Sequence, residues 1–279
     1  MKLYIGLLRY SQLSVRGDQF FIMFLGYDAN CQSRVQIEHR FIECVLVDRM
    51  GSLDTSIGGE TSRYSLSGSL LRQLSGDRHL HGHAYVIDYD LDLFSNFTYF
   101  LDDPVNGDQF EQVDRRTLLG GDFSYVWSGS SQFESIYTVG TSLRHDDIGE
   151  VGLHRTQNQQ RLSTVRSDAV RESSIGVYAQ AETRWSDRWR TQLGLRADFY
   201  NLSVRSNLAA NSGDTSEAIV APKLSVIYAL NDDSELYFSS GRGFHSNDAR
   251  GTTIRVDPNT QLPVEQVDPL VASTGAEFG

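Results

Sequence analysis

Three groups of side chains in this chain have the types and spacing to do chemistry. Arg242, His245, Asn247, Asp248 and Arg250 fall in one short stretch. Two guanidinium groups, an imidazole, an amide and a carboxylate where a strand gives way to a loop are suited to ligand contact. The simpler reading is loop anchoring, since Asn and Asp bond their own backbone in turns, and it is the favoured one. His79, His81 and His83 share one parity and have ligand-type nitrogens. That parity also holds Tyr85, Ile87, Tyr89, Leu91 and Leu93, the expected apolar side, so a solvated segment beside a turn is expected and no metal. Asp88, Asp90 and Asp92 carry carboxylates suited to general acid and base work. Neighbours two apart lie about 7 Å apart along one wall, and no nucleophile or orienting partner can be named. Gly241-Arg242-Gly243 lacks the continuation of a phosphate loop, and no nucleophile elbow occurs. Neither enzymatic activity nor a cofactor is expected.

The element that must position such residues is clearest at Ser173 to Asn201. Ile175, Val177, Ala179, Ala181 and Trp185 alternate with Ser174, Gly176, Tyr178, Gln180, Glu182 and Arg184. After the turn Ser186-Asp187-Arg188, Trp189, Thr191, Leu193, Leu195, Ala197 and Phe199 alternate with Arg190, Gln192, Gly194, Arg196, Asp198 and Tyr200. Both runs exceed the five or six residues or so of a sandwich strand. A strand crossing a bilayer at a tilt needs about nine to eleven residues, apolar outward and polar toward a wet lumen, with aromatic residues at the interface. Glu182, Arg184, Arg196 and Asp198 suit a wet interior and not a dry core. They are expected to line a lumen, together with Asp88, Asp90 and Asp92.

Bulk composition agrees with this reading. The chain has 279 residues, 39% hydrophobic, with 24 Gly, 13 Tyr, 14 Phe and only 5 Pro. Barrels hide their hydrophobicity in alternate positions, so a mean hydropathy of -0.35 excludes helical spans and not membrane strands. A net charge of -11 argues against nucleic acid as a partner. Cys31 and Cys44 are expected in one loop, either as a disulfide or as free thiols. The run Met1 to Leu8 is ended by Arg9 without a cleavage site, so the chain is expected to be a fragment or to begin at an internal start.

Taken in order, hairpins are expected at Lys2 to Gln12 with Asp18 to Asp28, at Thr61 to Leu74 with His79 to Phe100, and at Val113 to Trp127 with Phe133 to His145. The pair around the 186–188 turn follows, then Ala218 to Leu230 with Glu235 to Phe244, and a last strand from Val271. Long loops are expected at Ala29 to Glu60, with an amphipathic helix near Arg34 to Val47, and at Asp146 to Val170 and Ser246 to Asp268. Short and long connections alternate over about eleven strands, as in a barrel with short periplasmic turns and long outer loops. Single-chain bacterial barrels have even strand counts and must close, so strands are expected to be missing from both ends.

The run Leu236 to Gly251, with Gly243-Phe244-His245-Ser246-Asn247-Asp248-Ala249-Arg250-Gly251 its most specific part, resembles the strand-to-loop segment of TonB-dependent receptor barrels. Gly51 to Asp54 with Gly58 to Tyr64, Leu93 to Tyr99, and Val177 to Gln180 resemble other segments of that family. The resemblance implies an all-β, antiparallel transmembrane barrel of 22 strands filled by a plug and set in outer-membrane lipid of a Gram-negative cell. It implies a TonB energy-coupling protein as partner and import of a scarce bulky nutrient such as a siderophore complex. The sequence shows no plug, coupling box or terminal aromatic strand, so residues 1–279 are expected to be the middle of such a barrel. A passive porin-type channel and a soluble all-β binding protein are the alternatives.

Overall fold

Alternating side chains and pairing with the next strand in sequence account for nearly all of the architecture. The computed structural model describes residues 2–15, 17–32, 54–74, 76–130 and 132–279. Its strands are β1 (Lys2–Leu13), β2 (Gln19–Gln32), β3 (Gly58–Gln73), β4 (His79–Ser95), β5 (Phe110–Ser130), β6 (Glu134–Gln157), β7 (Gln160–Arg184), β8 (Trp189–Ser206), β9 (Gly213–Asn231), β10 (Ser234–Ser246) and β11 (Leu270–Phe278). They form one antiparallel sheet in sequence order, β1 through β11, whose two outer strands do not pair with each other. A 3-10 turn at Ala209–Asn211 and a short helix α1 at Ala249–Thr253 complete the regular structure. Among the described residues no helix is long and apolar enough to cross a membrane, which says nothing of strands.

Directly opposed residues share a face, so the register assigns both faces. Val177 opposes Thr141 on β6 and Ala197 on β8, and Ile175 opposes Leu143 and Phe199. This face is apolar yet open, with Val177 52%, Leu193 52% and Leu195 55% exposed. Uncovered aliphatic side chains over so many strands mark a surface meant for an apolar medium. Aromatic residues gather toward the short-turn end. Trp127 stacks between Tyr125 and Tyr137 at 5.2 and 5.4 Å, and Trp189 lies 4.6 Å from Tyr228. The opposite face carries Glu182, Arg184, Arg196 and Asp198, as their alternation predicts.

On that polar face the rings of Tyr85 and Tyr178 lie over the glycines opposite them, Gly120 and Gly140. A Cβ at Gly120 would sit 2.5 Å from the Tyr85 hydroxyl and 2.8 Å from the Leu143 carbonyl, and one at Gly140 would collide with the Tyr178 ring. The glycines are required by close approach rather than by unusual dihedrals.

Several expectations are corrected by the strand pairing. The polar stretch Asp146 to Val170 is not a loop: β6 and β7 continue through it for 24 and 25 residues in all. They meet at a two-residue turn, Asn158 and Gln159, with φ of 50° and 65°, the conformation of a tight hairpin. Hydrogen-bonded pairing persists there without an apolar face, so hydropathy carries no period to read. The second correction concerns β4. Asp88, Asp90 and Asp92 oppose Tyr64, Ser62 and Glu60 on β3 and Thr117, Arg115 and Val113 on β5. Their parity is that of Val86, which opposes Leu66 and Leu119, so they stand on the apolar side of the sheet, beyond its aliphatic band, and do not share a face with Arg196. His79, His81 and His83 lie on the polar face with Tyr85. The apolar residues of both parities in β4 conceal which side is which until its neighbours are known. β4 also ends at Ser95, short of the expected Phe100. The expected helix near 34–47 and Cys44 lie outside the described residues, and Cys31 stands exposed at the end of β2 and not in a loop.

Leu195→Arg is expected to lower stability in a bilayer by about 2–4 kcal/mol, whereas Gln180→Arg on the opposite face stays within about 0.5 kcal/mol. Urea unfolding of the bilayer-inserted chain measures both, and equal effects would contradict the assignment of faces.

Candidate functional site

The polar face carries charge in a repeated local form. Residues two apart on a strand project from the same face, and an arginine stem is long enough to fold back onto a carboxylate at that spacing. Arg144 pairs with Asp146 at 2.7 Å and Arg196 with Asp198 at 2.6 Å; Arg166 pairs with Asp168 in the same way. Arg116 with Asp114, at 2.5 Å, repeats the spacing in reverse. Asp146, Asp168 and Asp198 are 2%, 1% and 3% exposed, so each arginine covers a buried carboxylate that would otherwise be costly. Sequence reasoning identified only the Arg196 pair. The Arg-x-Asp spacing within alternating runs is the signal that would have found the others.

Toward the long-loop end this face gains a cover. The segment between β10 and β11 folds back so that Ala249 of α1 joins Ile148, Val170, Leu202 and Val204 in a small apolar cluster. Asp248 caps α1, accepting from the Arg250 amide at 2.9 Å and the Arg250 guanidinium at 2.6 Å. Burial opposes charge on Asp248, but the bonds and charge of Arg250 outweigh it and hold the carboxyl below its ordinary range. Asn211, fully buried, clamps the chain after α1. Its amide oxygen accepts from the amides of Arg255 and Val256, both at 2.9 Å, and its amide nitrogen donates to the Val256 carbonyl at 2.9 Å. Between α1 and the strands lies a recess of about 220 Å³ lined by Arg116, Val170, Glu172, Asn247, Asp248 and Arg250, among others.

The five residues expected as ligand contacts are divided by this arrangement. Asn247, Asp248 and Arg250 reach the recess. His245 bonds Asn247 at 2.8 Å, and Asn247 in turn donates to the Asp268 carbonyl at 2.7 Å, which is anchoring. Arg242 donates to the Val220 carbonyl at 3.4 Å. Arg116 and Glu172 join the recess from strands far away in sequence, and nothing local in the sequence marks them.

A second polar hub ties the loops together. Asp54 accepts from the Ser56 amide, the Asn96 side chain and the Gln109 side chain, each at 2.9 Å. The Gln109 side-chain oxygen Oε1 accepts from the Thr156 hydroxyl and from the Gln159 amide, both at 2.9 Å, which joins the 96–109 loop to the β6–β7 tip.

Residues 46–269 match the family model described as TonB dependent receptor-like, beta-barrel. The chain belongs to that family. No curated protein matches it in sequence. Among solved structures it is similar to the ferric citrate transporter FecA in its unliganded form, with a TM-score of 0.67 and 13% identity, over 87% of this chain and 36% of that one. It is also similar to the closed form of the ferric-catecholate import receptor Fiu from E. coli K12, with a TM-score of 0.69 and 8% identity, over 98% of this chain and 48% of that one. The copper transporter OprC gives a TM-score of 0.67 at 12% identity, over 99% of this chain and 42% of that one. Identities this low show a shared fold, and the chain spans 36–48% of the length of these three structures. Within this TonB-dependent receptor-like sheet, the recess and the loop hub both lie at the end where the connections are longest.

Two predictions follow from the loop geometry. Asp108 accepts from the amides of Leu101 and Asp103 at 2.8 Å; the Thr98 hydroxyl, foremost, and these amides hold its carboxyl at about 2 against desolvation. Asp54 is also lowered: burial raises it, but the Ser56, Asn96 and Gln109 bonds together prevail. A carboxyl depressed in the folded state stabilises fully above its unfolded value of about 3.9. That contribution is lost as pH falls through the folded value. Exchange protection of the Leu101 and Asp103 amides is therefore expected to hold down to about pH 4 and to drop between there and about pH 2. Asp108→Asn should flatten this profile, and protection unchanged at pH 2 would contradict the assignment. Removing the cap with Asp248→Ala should cost about 1 kcal/mol locally, seen as faster proteolysis in 247–269 without loss of strand content.

Proposed function

We propose that the chain forms part of the barrel of an outer-membrane receptor that takes up a scarce, bulky nutrient by energy coupling, and that it is not an enzyme. The observation that carries the reading is the pairing of an uncovered apolar face with a polar face whose buried carboxylates are neutralised by arginine, on strands long enough to span a bilayer. The similar structures are transporters or receptors of ferric citrate, ferric catecholates and copper, which supports a metal complex such as a ferric siderophore as the nutrient class. In this reading Glu182, Arg184, Arg196 and Asp198 line the lumen.

The recess at α1 is the contact point for the nutrient. Arg116 and Arg250 supply cationic donors suited to the carboxylates or catecholates of a siderophore, with Asn247 as a neutral donor. Glu172 and Asp248 keep the pocket from becoming strongly cationic. A periplasm-spanning TonB protein supplies the energy through a plug domain carried by the whole receptor, and the localisation is the outer membrane of a Gram-negative cell.

The test uses cells carrying the full-length gene. The product should fractionate with the outer membrane, and growth under iron limitation on at least one ferric siderophore should require both this gene and an intact TonB system. Arg116→Ala and Arg250→Ala are each expected to weaken siderophore binding about tenfold while leaving surface levels unchanged. A soluble product, or uptake indifferent to TonB, would overturn the reading.

A further inference from the structure

The polar face holds a second set of metal-type ligands at the opposite end from α1. We propose that His81, His83 and Asp122 form an open binding site for a borderline divalent transition-metal ion such as Zn²⁺, Cu²⁺ or Ni²⁺. His83 on β4 opposes Asp122 on β5 directly, and His81, two residues earlier on the same face, opposes Ser124. His81 Nδ1 lies 3.5 Å from one Asp122 oxygen, and His83 Nδ1 lies 3.6 Å from the other. Both separations are too long for hydrogen bonds. They approximate the ligand-to-ligand edge, about 3.3 Å, of a tetrahedral ion with bonds of about 2.0–2.1 Å.

Among the described residues no three such side chains already stand gathered around a point that could hold an ion. The site is therefore one that closes on binding. The imidazoles are 44% and 34% exposed, so rotating them displaces no packed core. His81 borders a recess of about 600 Å³ on this face, which gives an ion access. The cation in that recess, Arg9, lies over the Phe21 ring at 5.3 Å. Two imidazoles with one carboxylate select the zinc and copper class over Mg²⁺ or Ca²⁺, which prefer oxygen cages. His79 opposes Gln73 and Val126, has no acidic partner across either strand and stands outside the site.

The test titrates Zn²⁺ into the whole chain folded in detergent micelles, in competition with a chromogenic chelator. One ion per chain is expected. His81→Gln and His83→Gln should each weaken binding at least about tenfold, Asp122→Asn about tenfold, and His79→Gln less than about twofold, with strand content by far-UV circular dichroism unchanged in all four. The proposal is overturned if no stoichiometric site is found, if Asp122→Asn binds like the parent, or if urea-unfolded chain binds as tightly. The last two results would mean that the local His-Gly-His run, and not the folded sheet, captures the ion.

Discussion

A strand with hydrocarbon against one side has no water there to satisfy its amides, so its neighbour must do so. Nearly everything else in this chain is arranged around that constraint. Every strand pairs with the next in sequence, which short antiparallel connections make possible. Because pairing is a backbone property, it does not stop where the aliphatic band stops. β6 and β7 carry it far past that band, and the hub around Asp54 and Gln109 joins this extension to the loops beside it.

The same sheet must keep its other face wet and charged without destabilising itself. It does so within single strands: Asp146, Asp168 and Asp198 are sealed by an arginine two residues away and not by a residue from elsewhere. Arg144 and Arg196 retain exposed donor capacity while their carboxylates are withdrawn. A face built this way stays polar toward water yet is close to neutral over short distances. The departure is the α1 region, where a small apolar cluster lies beneath the returning segment and a recess forms beside it.

Legibility in the sequence followed the medium around each segment. The β7–β8 hairpin was plain because hydrocarbon on one side and water on the other impose a period of two. The stretch 146–170 was opaque because both its sides are polar, although its backbone is as regular as any other. β4 misled because aliphatic and aromatic residues occupy both parities, Val86 on one face and Tyr85 and Ile87 on the other. The acidic triplet then looked inward when it faces out beyond the band. The recess was only partly legible. Asp248 and Arg250 announce themselves by their spacing at a strand end, whereas Arg116 and Glu172 arrive from strands whose proximity is a matter of topology.

The arginine pairing has a counterpart in the tyrosines laid over Gly120 and Gly140. Charges that cancel inside one strand are indifferent to how that strand slides along its neighbour, so the Arg-x-Asp pairs carry no information about alignment. Shape carries it: a ring that fits only above a residue without a side chain acts as an index mark, and a slip of two positions, the smallest that keeps the faces, would set it against a Cβ. Such a sheet can lose or gain a whole Arg-x-Asp pair and still keep count, provided a few bare positions and the rings above them stay in step.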